Sequence, residues 1–320
     1  MSSKSAENTI IKIIKQLTSK KNLSHSNDRL SCDLALLAGI FRIPPMISNK
    51  IVFSELFSNS ILPTIQQVRD SVIEFITLDL LDNDESDVTT MEAGLKLWTN
   101  LLSSEEEVAK KSNEELVISR EMNSLLKIIF DCLNSKGSKL GITDIDDKAK
   151  RLHVYETAAC CGMSLLNVKS VAEMMTISQW HTLAWTLLHD NEETRKNIFA
   201  VFRTLLYVII IFYYYSLLSL LHYRITVPLH PRFLVYPCLL ASDEALSAVA
   251  KSSLKTAISR LRNTHESLCS RALLEDSEYF RLLAEQHIPE TMVPFALHLL
   301  SYHPEFPESA DIKVCYEHQF

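Results

Sequence analysis

Apolar residues recur at helical spacing along most of the chain, and short polar breaks separate one apolar stripe from the next. No segment alternates apolar and polar residues over the length of a β-strand. Short breaks between helices favour antiparallel neighbours, so the pattern predicts an all-α fold of stacked helical hairpins. The predicted helices cover residues 10–17, 34–41, 63–80, 94–102, 116–133, 146–166, 178–189 and 192 onward.

One turn between two predicted helices has the features of a helical repeat. Leu187 and Leu188 close the first helix, Asp190 is predicted to cap the second, and Arg195 follows in its first turn. The second helix then places four apolar residues at helical spacing: Ile198, Phe199, Val201 and Phe202. This arrangement is typical of a HEAT-type repeat, in which two antiparallel helices meet at a short turn.

The same turn recurs further along the chain. Leu239–Glu244 repeats it with Asp243 as the acidic residue, and Leu299–Pro304 repeats it with His303 in the acid's place. The intervals exceed the roughly 40 to 47 residues of HEAT and armadillo repeats. The sequence therefore predicts an irregular HEAT-like α-solenoid, with an extra helix near residues 275–285.

The composition argues against several functional classes. Only 5 glycines occur in 320 residues, whereas average usage would give roughly twenty, and phosphate-binding loops and strained catalytic turns depend on glycine. The net charge of -7 lacks the basic excess of a nucleic-acid-binding protein, so any DNA contact is expected to be indirect or local. The 7 cysteines include no CxxC pair, which predicts buried free thiols in a reducing compartment. Residues 1–8 lack the apolar core of a signal peptide.

Two motifs resemble metal sites but lack the necessary ligands. The acidic run Asp82–Asp87 partly imitates a calcium loop, yet Asp87 stands where glycine is needed and Ala93 where a bidentate glutamate is needed. Cys160 and Cys161 are adjacent on a predicted helix, so their side chains point in different directions and do not share a metal.

The histidines also have no partner of the kind that catalysis requires. His181, His189, His298 and His303 have no carboxylate or cysteine at ligand spacing, and we expect them in packing or surface positions. Arg260, Arg262 and Arg271 are candidates for exposed partner contacts, although a solvated helix face explains them as well. We predict a non-enzymatic protein with no catalytic residue, no cofactor-binding residue, no metal site, no cofactor and no small-molecule substrate.

The pattern divides the chain into repeats, a linker and one unusual block. Residues 1–134, 146–206 and 225–320 are predicted as helical repeats, and the polar, glycine-containing stretch at 135–145 as a linker. Residues 207–224 form a hydrophobic insert that overlaps an uncharged run from Leu205 to Leu221. Its Phe, Tyr, Ile, Leu, Ser and Val residues are encoded by T-rich triplets, which favours a retained intron read in frame. A membrane span and an extended core helix are the alternatives.

Several segments resemble the precocious-dissociation-of-sisters family, whose members are HEAT-repeat regulators bound to cohesin. Ile288–Phe306 resembles that family's LPEYVVPYTIHLLAHDPDY segment, and Val227–Asp243 resembles another. Upstream segments at 79–84, 94–102, 123–132 and 150–166 follow in the family's order. The resemblance implies a nuclear, chromatin-associated regulator of sister chromatid cohesion in mitosis, the cell cycle and DNA repair. It also implies two partners, the kleisin subunit of cohesin and the Wings-apart-like protein.

The chain departs from this family in two respects. Family members are several times longer, so the chain corresponds to their later helical-repeat part and is expected to be a fragment or a truncated paralogue. The block at 207–224 has no counterpart in them. Two other hypotheses stay open on the sequence alone: an unrelated α-solenoid adaptor, and a single-pass membrane protein that spans the bilayer with residues 205–221.

Overall fold

The computed structural model describes the chain over residues 12–14, 16–17, 29–42, 72–81, 87–109, 115–168, 171, 174–218, 231–285 and 288–303. Within these ranges the description excludes the side chains of residues 40–42, 78–79, 103–109, 115–120, 167, 207–218, 260 and 283. The chain divides into two compact units, with the boundary between Met174 and Met175. Each unit has its own apolar core.

The first unit is built from helices that pack in pairs. The elements are α1 (Leu30–Arg42), a short π-helix (Phe75–Leu80), α2 (Val88–Ala109), α3 (Glu115–Asn134), α4 (Lys148–Ser164) and a 3-10 turn (Leu165–Asn167). Helix α1 packs along α2, α3 packs along α4, and α2 also contacts α4 and the π-helix. The apolar stripes predicted from the sequence face inward, and Leu34, Ile76 and Trp98 are among the fully buried side chains.

A small β-hairpin lies between α3 and α4, where the sequence predicts a linker and no strand. Strand β1 (Lys139–Leu140) pairs antiparallel with β2 (Thr143–Asp144). Gly141, between them, has φ +62, and a Cβ atom there would lie 2.2 Å from the carbonyl oxygen of Leu81. Leu140 and Ile145 are buried. The prediction of no strand was wrong here, because two-residue strands are too short to produce an alternating pattern.

The described residues of the second unit form six α-helices and three 3-10 turns. Its elements are α5 (Ile177–Trp185), a 3-10 turn (Thr186–Leu188), α6 (Glu192–Leu218), α7 (Pro231–Leu234), a 3-10 turn (Tyr236–Leu240), α8 (Ser247–Glu275), α9 (Glu278–Glu285), a 3-10 turn (Pro289–Thr291) and α10 (Met292–Ser301). Helix α8 contacts both α6 and α9, and α7 contacts α10. The extra helix predicted near residues 275–285 is α9. The all-α prediction is confirmed, with the hairpin as the exception.

The hydrophobic insert begins inside α6. The backbone remains helical to Leu218, while the side chains of residues 207–218 and all of 219–224 lie outside the described residues. Among the residues that the structure describes, no helix is long and apolar enough to cross a bilayer. The boundaries of the predicted repeats and of the insert remain predictions.

Candidate functional site

The turn between α5 and α6 is held by local hydrogen bonds from its polar residues. Asn191 caps α6, because its Oδ1 atom accepts a hydrogen bond from the backbone N–H of Thr194 at 3.0 Å. His189 Nδ1 accepts from the backbone N–H of Asn191, also at 3.0 Å. The sequence prediction placed the cap at Asp190, one residue too early, and Asp190 is exposed. Asparagine is as good an N-cap as aspartate, so Asn191 was an equally strong signal.

Arg195 connects this turn to the next repeat turn. Its Nη1 donates to the carbonyl oxygens of His189 at 2.7 Å and Asp190 at 3.1 Å. Its Nε and Nη2 atoms both lie 2.9 Å from Oδ2 of Asp243. Asp243 is the acidic residue of the second predicted turn, so the two turns that the sequence related by similarity are bonded to each other.

Asp243 also organises its own turn. Its Oδ1 atom accepts hydrogen bonds from the backbone N–H groups of Ala245 at 2.9 Å and Leu246 at 2.8 Å. Partial burial raises the pKa of the Asp243 carboxyl group, but the hydrogen bond from Leu246 and the charge of Arg195 outweigh it. The net result is a pKa below the ordinary value, so the carboxylate stays ionised at neutral pH.

An aromatic cluster packs α5 against α10 and the 3-10 turn that follows α7. The ring of Trp180 stacks on His298 with centroids 5.7 Å apart, and the ring of His181 lies 5.1 Å from His298 and from Tyr302. Trp180 Nε1 donates to the carbonyl oxygen of Arg232 at 3.1 Å, and the Tyr236 hydroxyl donates to the carbonyl oxygen of Trp180 at 3.0 Å.

His181 is the titratable group at the centre of this cluster. Burial, followed by the charge of nearby His298, lowers its pKa, so the neutral imidazole is favoured in the folded protein. The Nε2 atoms of His181 and His298 are buried and make no hydrogen bond within the described part of the chain. These two histidines are 117 positions apart in the sequence, and no local pattern predicts that they stack.

The third predicted turn follows α10. The backbone N–H of His303 donates to the carbonyl oxygen of Leu300 at 3.1 Å, and the residues from Pro304 onward lie outside the described residues.

The predicted surface arginines differ in their surroundings. Arg262 is exposed, and the side chain of Arg260 lies outside the described residues. The Arg271 guanidinium lies 4.4 Å from the ring centroid of Phe280 and bonds Glu275 at 3.0 Å. Of the two arginines whose side chains are described, Arg271 is therefore the one fixed against a neighbouring helix.

The described side chains include no cluster of three or more metal ligands. Six cysteines are described, and all are free. Burial raises the pKa of Cys132 to about 12 and that of Cys161 to about 11, while Cys315 lies outside the described residues. Of the acidic run Asp82–Asp87, only Asp87 is described.

Two polar pairs involve histidines that the sequence did not single out. His153 Nδ1 lies 2.7 Å from Glu92 Oε1 in the first unit. In the second, His265 Nε2 lies 3.6 Å from Cys269 Sγ. The four-residue spacing of His265 and Cys269 on one helix face could have revealed that pair. Glu92 and His153 belong to different helices, so no local spacing relates them.

The fold and the repeat turns agree with one family of helical-repeat proteins. The family described as "Sister chromatid cohesion protein PDS5 protein" matches residues 1–318 of the chain. The chain belongs to the PDS5 family. No curated protein matches it at a significant level. PDS5 proteins are cohesin-associated, non-enzymatic regulators of sister chromatid cohesion, and the family is generally nuclear.

Membership of the PDS5 family confirms the resemblance seen in the separate sequence segments. The family match also covers the first 145 residues, where the resemblance of separate segments was sparse. The hypothesis of an unrelated α-solenoid adaptor is therefore wrong.

Proposed function

We propose that this PDS5-family chain is a scaffold that binds the cohesin complex through its kleisin subunit and controls how long cohesin stays on chromatin. The Wings-apart-like protein is the second proposed partner, and chromatin is reached indirectly, through cohesin. The chain acts in the nucleus by binding, with no catalytic step. The observation that carries this proposal is the family match over residues 1–318.

The structure supports a binding role in physical terms. Each helix pair buries one face on its neighbours, as the cores around Trp98 and Phe202 illustrate, and leaves the other face available to extended partner segments. The Arg195–Asp243 contact holds two consecutive turns in register. A surface fixed in this way loses little conformational entropy when a partner binds.

The test is direct capture of the kleisin subunit by the purified chain. Two versions are compared, the chain as written and the chain without residues 207–224, and both are checked for helicity by circular dichroism. We expect both the recombinant kleisin subunit alone and the intact cohesin complex from nuclear extract to be retained. Bead-bound chain unfolded by heat serves as the control for nonspecific capture.

Each outcome has a distinct meaning. Retention by the deleted version alone supports the proposal and assigns residues 207–224 as an obstacle to binding. Retention of intact cohesin without the isolated kleisin subunit would overturn the proposed contact. If neither helical version retains cohesin, the cohesin-binding proposal is wrong for this chain.

A further inference from the structure

The corner at which α8 turns into α9 exposes an unusual amount of apolar surface. Leu274 and Leu273, at the end of α8, are 85% and 80% exposed, the highest values among large apolar side chains in the described part of the chain. Tyr279 and Leu282, on α9, are 65% and 54% exposed. We call these four residues, together with the acidic residues Glu275, Asp276, Glu278 and Glu285, the α8–α9 corner. Exposed apolar residues gathered at one helical corner are typical of an interaction site.

The backbone of the corner is fixed by the packing of α9 on α8. Asp276 ends α8 in the left-handed region, with φ 45, and the chain then folds back so that α9 packs on α8. His265 Nδ1 lies 2.9 Å from the carbonyl oxygen of Ala284 and so donates to it. The Arg271 guanidinium covers the ring of Phe280. Helix α9 thus uses the face of Phe280 and Ala284 for packing, which leaves Tyr279 and Leu282 on its outer side.

The charges around these apolar residues are mainly negative. The two arginines of the corner are already paired, Arg271 with Glu275 at 3.0 Å and Arg281 with Asp276 at 3.5 Å and Glu278 at 3.8 Å. The side chains of Asp276 and Glu278 nevertheless remain 96% and 74% exposed. The corner therefore carries two basic residues and four acidic ones. The acidic residues are Glu275, Asp276, Glu278 and Glu285.

We propose that the α8–α9 corner binds a basic amphipathic segment of a partner protein. Leucine or aromatic side chains of that segment cover Leu274, Tyr279 and Leu282, and its lysine or arginine side chains meet Asp276 and Glu278. A second copy of this chain would bring two acidic rims together, and anionic lipid or nucleic acid would meet the same repulsion. This inference goes beyond the proposed function, because it requires neither the kleisin subunit nor chromatin.

The test uses the purified full chain and synthetic peptide probes. A fluorescein-labelled peptide of about 18 residues carries leucines at helical spacing and lysines between them. A second peptide has the same leucines but glutamates in place of the lysines. Fluorescence anisotropy at two salt concentrations measures both affinities. We expect the lysine peptide to bind, its affinity to fall with salt, and the glutamate peptide to bind at least about tenfold more weakly.

Variants localise the binding to the corner. Leu274→Ser with Leu282→Ser removes apolar surface without touching the core, and Asp276→Asn with Glu278→Gln removes two charges while asparagine tolerates the left-handed φ. We expect each pair to weaken the lysine peptide about fivefold to tenfold. The matched control, Asp144→Asn with Asp146→Asn, removes the same charge from exposed positions in the other unit and should leave the affinity unchanged.

Three results would overturn the proposal: no binding of the lysine peptide, equal binding of both peptides, or equal weakening by the control pair and the corner pairs. Circular dichroism melting curves identify any variant that has lost its fold, and single substitutions then replace that pair. Cohesin capture by the same variants is a separate measurement, so failure at this corner does not bear on the proposed function.

Discussion

The guanidinium of Arg195 places two nitrogens 2.9 Å from one carboxylate oxygen of Asp243, a residue that belongs to the following repeat turn. The Asp243 side chain is only 11% exposed, so this ion pair is poorly screened by solvent. The same guanidinium also holds two carbonyl oxygens of its own turn. One side chain therefore stabilises both turns.

Arg195→Met should lower the free energy of unfolding by about 2 kcal/mol, because it leaves the carboxylate of Asp243 partly buried and without its cation. Urea denaturation followed by circular dichroism measures the change. Lys196→Met is the matched control, since Lys196 is a neighbouring cation whose partner Glu192 lies on the same exposed helix face. We expect no measurable change for that variant, and equal losses for the two would contradict the assigned role of Arg195.

The contribution of Asp243 should disappear in acid. The folded-state pKa is below the unfolded value of about 3.9, so the folded state binds fewer protons and stability rises with pH. The stabilisation is complete above the unfolded pKa and is lost as the pH falls through the folded pKa. The stability difference between the wild type and Asp243→Asn should therefore shrink below about pH 4. A difference that stays constant from neutral to acidic pH would show that the carboxylate charge has no part in it.

His181 should give a second pH dependence in a higher range. Burial and the charge of His298 lower the pKa of His181 in the folded protein. In the unfolded state His181 has the ordinary histidine pKa of about 6.5, so below that pH the unfolded state binds more protons than the folded state. Stability should fall as the pH drops through that value. His181→Phe keeps an aromatic ring in the cluster and should flatten the melting temperature between neutral and mildly acidic pH. A slope unchanged by this substitution would assign the effect to another group.

Two glycines should respond to alanine in opposite directions. Gly141 has φ +62, and its added Cβ would collide with the carbonyl of Leu81, so Gly141→Ala should destabilise the protein by about 2 kcal/mol or more. Gly39 lies inside α1 with nothing within 4 Å of an added Cβ, and Gly39→Ala should stabilise it by about 0.5 to 1 kcal/mol. Thermal melting of both variants checks the pair. Destabilisation by both would mean that α1 is not packed as described.

Local patterns predicted the features that depend on residues close in sequence. Leu187 and Leu188 followed by a polar turn indicated the end of one helix and the start of the next, and α5 and α6 have that arrangement. The residue that caps α6 was misplaced by one position, because Asp190 and Asn191 are both good caps and only backbone geometry separates them. The capping box of Thr176 and Gln179 at the start of α5 is also a local pattern, a threonine followed three residues later by a glutamine.

Contacts between distant residues could not be predicted from one sequence. The partner of Arg195 is 48 residues away, and the contact between Trp180 and His298 joins α5 to α10. Hydrophobic periodicity shows which face of each helix is buried but not which helix covers it. Helical periodicity and the recurring turns therefore predicted the overall architecture, whereas the contacts between distant residues are visible only in the folded chain.

The ion pair joins Arg195, at the start of α6, to Asp243, in the turn before α8. It therefore connects the two helix pairs at the edge where their turns lie. Farther along α6 and α8 the buried residues that the structure describes are mainly apolar, including Phe202 and Ala257, and such contacts are non-directional and shift more easily than a paired guanidinium. Bending that separates the turn edge must break charged hydrogen bonds, whereas bending at the opposite edge need not. We therefore expect flexing of these two helix pairs to open the edge away from the turns and to leave the distance between the two turns nearly constant.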